Sequence, residues 1–297
     1  MKLAALDLGS NSFHLLVAHT DGVDALSKIG SDKEVLRLGA VVQECGQLDD
    51  AAYARALATV SRMAAVARNL GAEKLMTVAT SALRDARNGR SFCDDCFARN
   101  GVRIELLSGE DEARLAYAGA RSALPLTSGR VLVADVGGGS VELAAGETAS
   151  CDTVQSLQLG FLRLAHAFPL TDASGVARLA RYVQLECERA RWQLGRFDSL
   201  LLSGGTARAI GKLLGGGIAS ASTSQVLELC DELARSPLKA LVARGVDRER
   251  ASNLAAGATV IAGLLAGFGQ SALRISPRGL REGVILRELA QRATRAA

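Results

Sequence analysis

Two short segments of the chain place an aspartate, a glycine, small residues and a serine at the same spacing. Asp7, Gly9, Ser10, Asn11 and Ser12 lie in "LDLGSNSFHLLV"; Asp135, Gly137, Gly138, Gly139 and Ser140 lie in "ADVGGGSVELAA". Each aspartate ends an apolar run, and a second apolar run follows each serine. The spacing predicts two β-hairpins with tight turns of small residues. Such a turn presents backbone N–H groups with no side chains in the way, which suits phosphate oxygens. The aspartate is placed to hold a hydrated divalent cation beside that phosphate, and the serine hydroxyl adds a donor. One copy alone would mean little. Two copies, one opening each half of the chain and facing across a cleft, would grip a phosphate chain from both sides. Superposing the repeats sets His14 against Glu142, although a strand histidine of this kind more often serves packing than ligation. A third element, "LLLSGGTARAIGKLL", puts Gly204, Gly205 and Thr206 at a helix N-terminus, a ready anion site. In other α/β proteins the same turn is only a packing device.

The elements that must position these groups alternate. "KLAALDLG" and "FHLLVAHT" read as the first hairpin, with a third strand between Ala25 and Leu38. "DDAAYARALATVSRMAAVARNLG" has helical spacing, acids at its start and Gly71 at its end. "KLMTVAT" reads as a buried strand, "GRSFCDDCFARNG" as a helix ending at Gly101, and "VRIELL" as another strand. Ser108 and Asp111 resemble a capping box before "EARLAYAGARSAL". The strand pattern restarts at Arg130 and runs through "CDTVQSLQLG". Two helices, a strand with its glycine turn and helix, a largely helical stretch, a strand near "SALRIS" and a last helix follow. "GKLLGGGIASASTS" reads as a surface loop. Alternating helices and strands make the class α/β.

The chain has 297 residues, room for one large domain or two ordinary ones. Aromatic residues are 4%, which argues against a stacking platform for nucleic-acid bases, and no nucleic-acid partner is expected. A net charge of +4 neither requires nor opposes a polyanion. No apolar run is long enough to span a bilayer, and Asp7 interrupts the first apolar run too early for a signal peptide, so a cytoplasmic location is expected. Six cysteines in a chain of this length are not a disulfide framework. Cys93 and Cys96 form a lone "CDDC", weak evidence for zinc or redox chemistry; the alternative is a helix with one thiol buried and one facing out.

Two phosphate-gripping hairpins and a later Gly-Gly-Thr turn resemble the acetate kinase, sugar kinase, heat-shock chaperone and actin superfamily (ASKHA). Within it the chain resembles the exopolyphosphatase and guanosine pentaphosphate phosphatase (Ppx/GppA) family. The motifs that carry the resemblance are "DLGSNSFHLLV", "ATSALRDARN", "LSGEDEARLAYAGA", "VADVGGGSVEL", "SGGTARAIG" and "GLREGVI". It implies two actin-like (ribonuclease H-like) domains, residues 1–118 and 119–297, with a boundary region near 115–125 and an interdomain cleft. Whether the last helix packs back on the first domain stays open.

The resemblance also implies roles. Glu112 is the base that activates the attacking water, and Arg84 binds phosphate, though a helix acid and an arginine paired with Asp85 would be the plain alternatives. Asp135 and Glu142 hold Mg²⁺, with Mn²⁺ also suitable, and Asp7 lies in the outer shell. Ser10, Asn11, Ser12, Gly137, Gly138, Gly139, Ser140, Gly204, Gly205 and Thr206 contact phosphate. The expected reaction is hydrolysis of the terminal phosphoanhydride of inorganic polyphosphate. A guanosine pentaphosphate or nucleoside triphosphate phosphatase, or a non-catalytic alarmone or polyphosphate sensor, are the alternatives. A homodimer is expected by analogy. Longer members continue into a helical domain of HD-phosphohydrolase type; the chain resembles the short members, which favours shorter substrates over processive degradation. Ser252 stands where the family often has an acid.

Overall fold

The computed structural model describes residues 1–21, 26–124, 129–168, 173–214, 220–244, 246, 248–270 and 272–296. They form two units, Met1–Ser122 with Arg278–Ala297, and Ala123–Pro277. The boundary expected at 118/119 falls inside a helix that is continuous through Arg121, so the division comes just after it.

The first unit opens with β1 (Lys2–Leu8), β2 (Ser12–Thr20) and β3 (Leu26–Val35), then α1 (Leu38–Cys45) and α2 (Asp50–Asn69). Next come β4 (Lys74–Ala79), α3 (Ser81–Asp85), α4 (Gly89–Asn100), β5 (Ile104–Leu106) and α5 (Gly109–Arg121). The sheet order is β3-β2-β1-β4-β5, with β1–β2 and β2–β3 antiparallel and β1–β4 and β4–β5 parallel. Ala4, Leu6 and Leu8 pack with Phe13 and the α2 residues Val60 and Met63. Leu3 and Ala5 point to the other face and join a second cluster. Burial on both faces explains why β1 reads as a continuous apolar run. Asp49 starts α2 by accepting a hydrogen bond from the Ala52 N–H at 2.7 Å, and Gly101 ends α4 in the left-handed region at φ 67°. Ser108 caps α5 by accepting from the Asp111 N–H. The Asp111 carboxylate takes the Ser108 hydroxyl, so the reciprocal half of a capping box differs from the pattern.

The second unit begins with β6 (Val131–Val136), β7 (Val141–Gly146), β8 (Thr153–Leu157), α6 (Phe161–Ala167) and α7 (Ala173–Leu194). It continues with β9 (Ser199–Ser203), α8 (Gly204–Leu213), β10 (Ser220–Ser222), α9 (Thr223–Arg235), α10 (Leu238–Ala243), α11 (Arg248–Phe268) and β11 (Ala272–Ile275). The order is β10-β11-β9-β6-β7-β8. Helix α11 lies close on α7: a Cβ added at Gly263 or Gly267 would stand 2.6 Å from the Cβ of Val183 or Cys187. The surface loop expected across "GKLLGGGIASASTS" contains the end of α8, β10 and the start of α9; residues 215–219 within it, and the side chain of Ser252, lie outside the described residues.

The repeat read in the sequence is a repeat of topology. β6, β7, β8, β9 and β11 are ordered and directed as β1, β2, β3, β4 and β5 are. Asp7 faces His14 across the first hairpin, and Asp135 faces Glu142 across the second.

The last helix, α12 (Leu280–Ala296), belongs to the first unit. Its Leu280, Val284 and Ile285 complete the cluster of Leu3, Ala5 and Leu115. It meets α5 backbone to backbone: a Cβ at Gly119 would fall 1.9 Å from the Gly279 carbonyl oxygen, and one at Gly283 1.9 Å from that of Leu115.

Candidate active site

In the first unit the turn between β1 and β2 is tied to the start of α1. The Leu36 and Arg37 N–H groups donate to the Asn11 carbonyl at 3.0 and 2.9 Å, and the Gly39 N–H donates to that of Ser10 at 2.8 Å. With these carbonyls engaged, the N–H groups of the turn are what it offers an anion. The Ser10 hydroxyl accepts from the Ala82 N–H at 3.1 Å and lies 3.2 Å from the Ser81 hydroxyl, which joins the turn to α3. Ser12 and His14 Nε2 are hydrogen-bonded at 2.7 Å.

Helix α3 carries Arg84. Its Nη1 donates to the Leu107 carbonyl at 2.8 Å and to Glu112 Oε2 at 3.1 Å. Glu112 is only 7% exposed and sits in the first turn of α5, its N–H bonded to the Ser108 carbonyl. Arg84 therefore reaches a carboxylate twenty-eight positions away. One edge of its fork is used in this way, and a guanidinium has five donors, so the other edge suits a phosphate.

In the second unit α6 braces the other turn. The Phe161 and Leu162 N–H groups donate to the Gly137 and Gly138 carbonyls at 3.2 and 2.8 Å, and Arg163 Nε donates to that of Gly139 at 2.9 Å. Gly160 is required here, because a Cβ would fall 2.1 Å from the Gly139 carbonyl carbon. The Gly137 N–H closes the turn on the Ser140 carbonyl at 3.1 Å, and Ser140 is buried. Glu142 is buried and accepts from the Ser156 hydroxyl at 2.9 Å. Gly204 begins α8 at φ 96°, and a Cβ there would come 2.7 Å from Asp135 Oδ1. Gly205 follows it in α8, and Thr206 is buried against Gly257 of α11.

The structure thus joins Arg84 with Glu112 and Ser10 in the first unit, and Asp135 with Glu142 and Gly204 in the second. The sequence reading missed Ser156, Arg163 and the bracing role of α1 and α6. A signal existed: Leu36-Arg37-Leu38-Gly39 leads into one brace and Leu157-Gln158-Leu159-Gly160 immediately precedes the other.

Among the described residues no three His, Cys, Asp or Glu side chains gather as a metal cage. The Asp135 and Glu142 pair, with Gly204 leaving room at Asp135, suits a hard cation that keeps waters and phosphate oxygens as its remaining ligands. The "CDDC" pair lies on α4 with Cys96 buried and Cys93 half-buried. Burial pushes the Cys96 thiol up to about 12 and raises that of Cys93, which keeps both protonated and unreactive.

The model of the Ppx/GppA phosphatase family matches residues 15–292. The chain belongs to the Ppx/GppA family. Exopolyphosphatase 1 of Mycobacterium tuberculosis is 31% identical over 97% of the chain and 88% of its own length. A guanosine-5'-triphosphate,3'-diphosphate pyrophosphatase of Vibrio vulnificus is 40% identical over 53% of the chain and 31% of its own length. The crystal structure of the Aquifex aeolicus family member superposes with a TM-score of 0.84, at 26% identity over 98% of both chains. The alternating α/β units with two sheets are the actin-like fold of this Ppx/GppA member. No helix among the described residues is long and apolar enough to cross a membrane.

Proposed function

We propose that this Ppx/GppA member is an exopolyphosphatase, a phosphoanhydride hydrolase that releases orthophosphate from the end of inorganic polyphosphate. The observation that carries the proposal is the ion pair of Arg84 and Glu112, joined through Ser81 and Ser10 to a phosphate-type turn. An anion-binding fork and a carboxylate stand side by side, which phosphoanhydride hydrolysis needs and a packing role does not.

In the first unit Arg84 and the N–H groups of residues 10–12 take phosphate oxygens; in the second the N–H groups of residues 137–140 do so. Gly204, Gly205 and Thr206 contribute the dipole and N–H groups of the α8 N-terminus. Glu112 holds a water in line with the terminal phosphorus and accepts its proton. The water oxygen–phosphorus bond forms, the bridging phosphorus–oxygen bond breaks, and the electron pair leaves on the shortened chain. Asp135 and Glu142 would hold Mg²⁺, or Mn²⁺ in its place, directly or through water, with Asp7 in the outer shell. When bound, the ion neutralises phosphate charge and polarises the bond to be broken. The Mycobacterium tuberculosis and Mycobacterium leprae relatives matched over 97% of the chain carry the exopolyphosphatase name, which favours polyphosphate. The Vibrio vulnificus relative, the more identical over its shorter match, keeps guanosine pentaphosphate as a second reading.

Orthophosphate release from long-chain polyphosphate, with a divalent ion and with chelator, tests the proposal against a Glu112→Gln variant. Metal-dependent release lost in the variant, by about 10²–10⁴-fold, is the expected result. Undiminished release by Glu112→Gln would remove Glu112 as the base. Competition with guanosine pentaphosphate and ATP separates the two substrate readings.

A further inference from the structure

The two turns hold the same carbonyl by different means. With Asp7 aligned on Asp135, Asn11 of the first turn matches Gly139 of the second, and Ser12 matches Ser140. The Asn11 carbonyl accepts from two main-chain N–H groups, those of Leu36 and Arg37. In the second turn the main chain of α6 serves the two preceding carbonyls: Phe161 donates to Gly137, and Leu162 and Arg163 donate to Gly138. The Gly139 carbonyl takes a side chain instead, Arg163 Nε at 2.9 Å. Arg163 is half-buried, and this bond sets its guanidinium at the turn itself.

A peptide unit is planar and trans, so its C=O and its N–H point in opposite directions. The Gly139 carbonyl and the Ser140 N–H share one such unit. Drawing the carbonyl to Arg163 therefore aims the Ser140 N–H away from α6. The Gly138 and Gly139 N–H groups are aimed in the same manner, because the Gly137 and Gly138 carbonyls are held by α6. Ser140 is buried, and its N–H meets no acceptor among the described residues. A buried N–H calls for an acceptor, and a phosphate oxygen seated on the turn supplies one. The hold matters more here than in the first turn. Gly139 has no Cβ to restrict its backbone, so the peptide that follows it turns freely unless something outside the turn fixes it.

We propose that Arg163 is a positioning residue: by holding the Gly139 carbonyl it turns the Ser140 N–H to the phosphate seated on the second turn. The inference rests on the phosphate role proposed above for that turn. Two substitutions separate it from a direct charge contact. In Arg163→Gln an amide nitrogen stands as many bonds from Cα as Nε did, so the donor is kept and the charge is lost. Arg163→Met keeps the length and loses both. Tripolyphosphate binding, measured by calorimetry in EDTA, should weaken about fivefold or more in Arg163→Met and return to within about twofold of wild type in Arg163→Gln. In amide NMR spectra of the ligand-free proteins the Ser140 peak should move in Arg163→Met and return in Arg163→Gln. Binding by Arg163→Met as tight as wild type, or by Arg163→Gln as weak as by Arg163→Met, would overturn the inference. So would a Ser140 peak that neither substitution moves. Should Arg163→Met not fold, Arg163→Gln still decides, since a loss of about fivefold or more there overturns the inference. A wild-type Ser140 peak that tripolyphosphate leaves in place would take the phosphate role from the turn, and the inference with it. Failure of the hydrolase reading looks different: wild type binds tripolyphosphate but releases no orthophosphate, and the comparison of the variants still decides the role of Arg163.

Discussion

Glu112 Oε2 lies 3.1 Å from Arg84 Nη1, so the group proposed as base and the group proposed as phosphate anchor form one ion pair. The side chains are 10% and 21% exposed, so neither charge is well solvated if the other is removed. Glu112→Gln and Arg84→Ala should each lower polyphosphate turnover by about 10²-fold or more. Their effects should be far from additive in the double variant, because paired groups act as a unit. A double-mutant cycle on kcat/KM checks this. Additive losses would mean that the two residues work separately.

Ser156 is placed to orient Glu142, the proposed metal ligand. Its hydroxyl donates at 2.9 Å to Glu142 Oε1, which fixes the carboxylate. Ser156→Ala should weaken divalent-ion affinity by about tenfold to a hundredfold, and Ser156→Thr should restore it. Titration of the divalent ion, followed by calorimetry and by rate, measures both. Equal affinity in wild type and alanine variant would remove this role.

The local signals in the sequence carried a large part of this site. Both hairpins and the Gly-Gly-Thr turn were legible, because each is a short run of special residues after a buried strand. The pairing of Arg84 with Glu112 was not, since it joins residues from separate elements and leaves no periodic trace. Helix α1 was missed for a physical reason. It has eight residues, a glycine in its first turn and Arg37 in place of a usual cap, so the start signals were absent. Strand β10 is Ser-Ala-Ser, too short and too polar to show alternation. The return of α12 to the first unit rests on contacts across some 160 positions, which only the fold can reveal.

The α5–α12 contact leaves no room for a side chain. Gly119→Ala and Gly283→Ala each drive a methyl group against a backbone carbonyl 1.9 Å away. Each should cost about 1–3 kcal/mol or more of stability, read as a lowered denaturation midpoint. Gly101→Ala is the control: φ is 67° but nothing lies within 4 Å, so only the backbone strain of about 1 kcal/mol applies. Similar losses at all three positions would mean that the helices adjust freely.

Acid should release α12 in a defined way. Burial alone would raise the Glu288 carboxyl, but hydrogen bonds from Arg292 and Lys74, both at 2.7 Å, outweigh it and hold it below the ordinary value of 4.5. A carboxyl held low in the folded state adds stability above its unfolded value and loses it as pH falls through the folded one. The midpoint gap between wild type and Glu288→Gln should be widest near neutral pH and close as pH drops below 4.5. A gap that does not change with pH would assign the effect to packing alone.

The return of α12 also orders events at the ribosome. The first unit is begun by residues 1–122 but finished by residues 278–297, and the whole second unit is made in between. At about 5–20 residues per second, synthesis of that insertion takes on the order of 10–30 s. Through this interval the glycine face of α5, and Glu112 on the same helix, wait for the segment that locks them. The second unit, contiguous in the chain, can fold meanwhile. The proposed base is therefore among the last groups in the nascent protein to be secured, and a chain interrupted within the insertion carries an unfinished first unit.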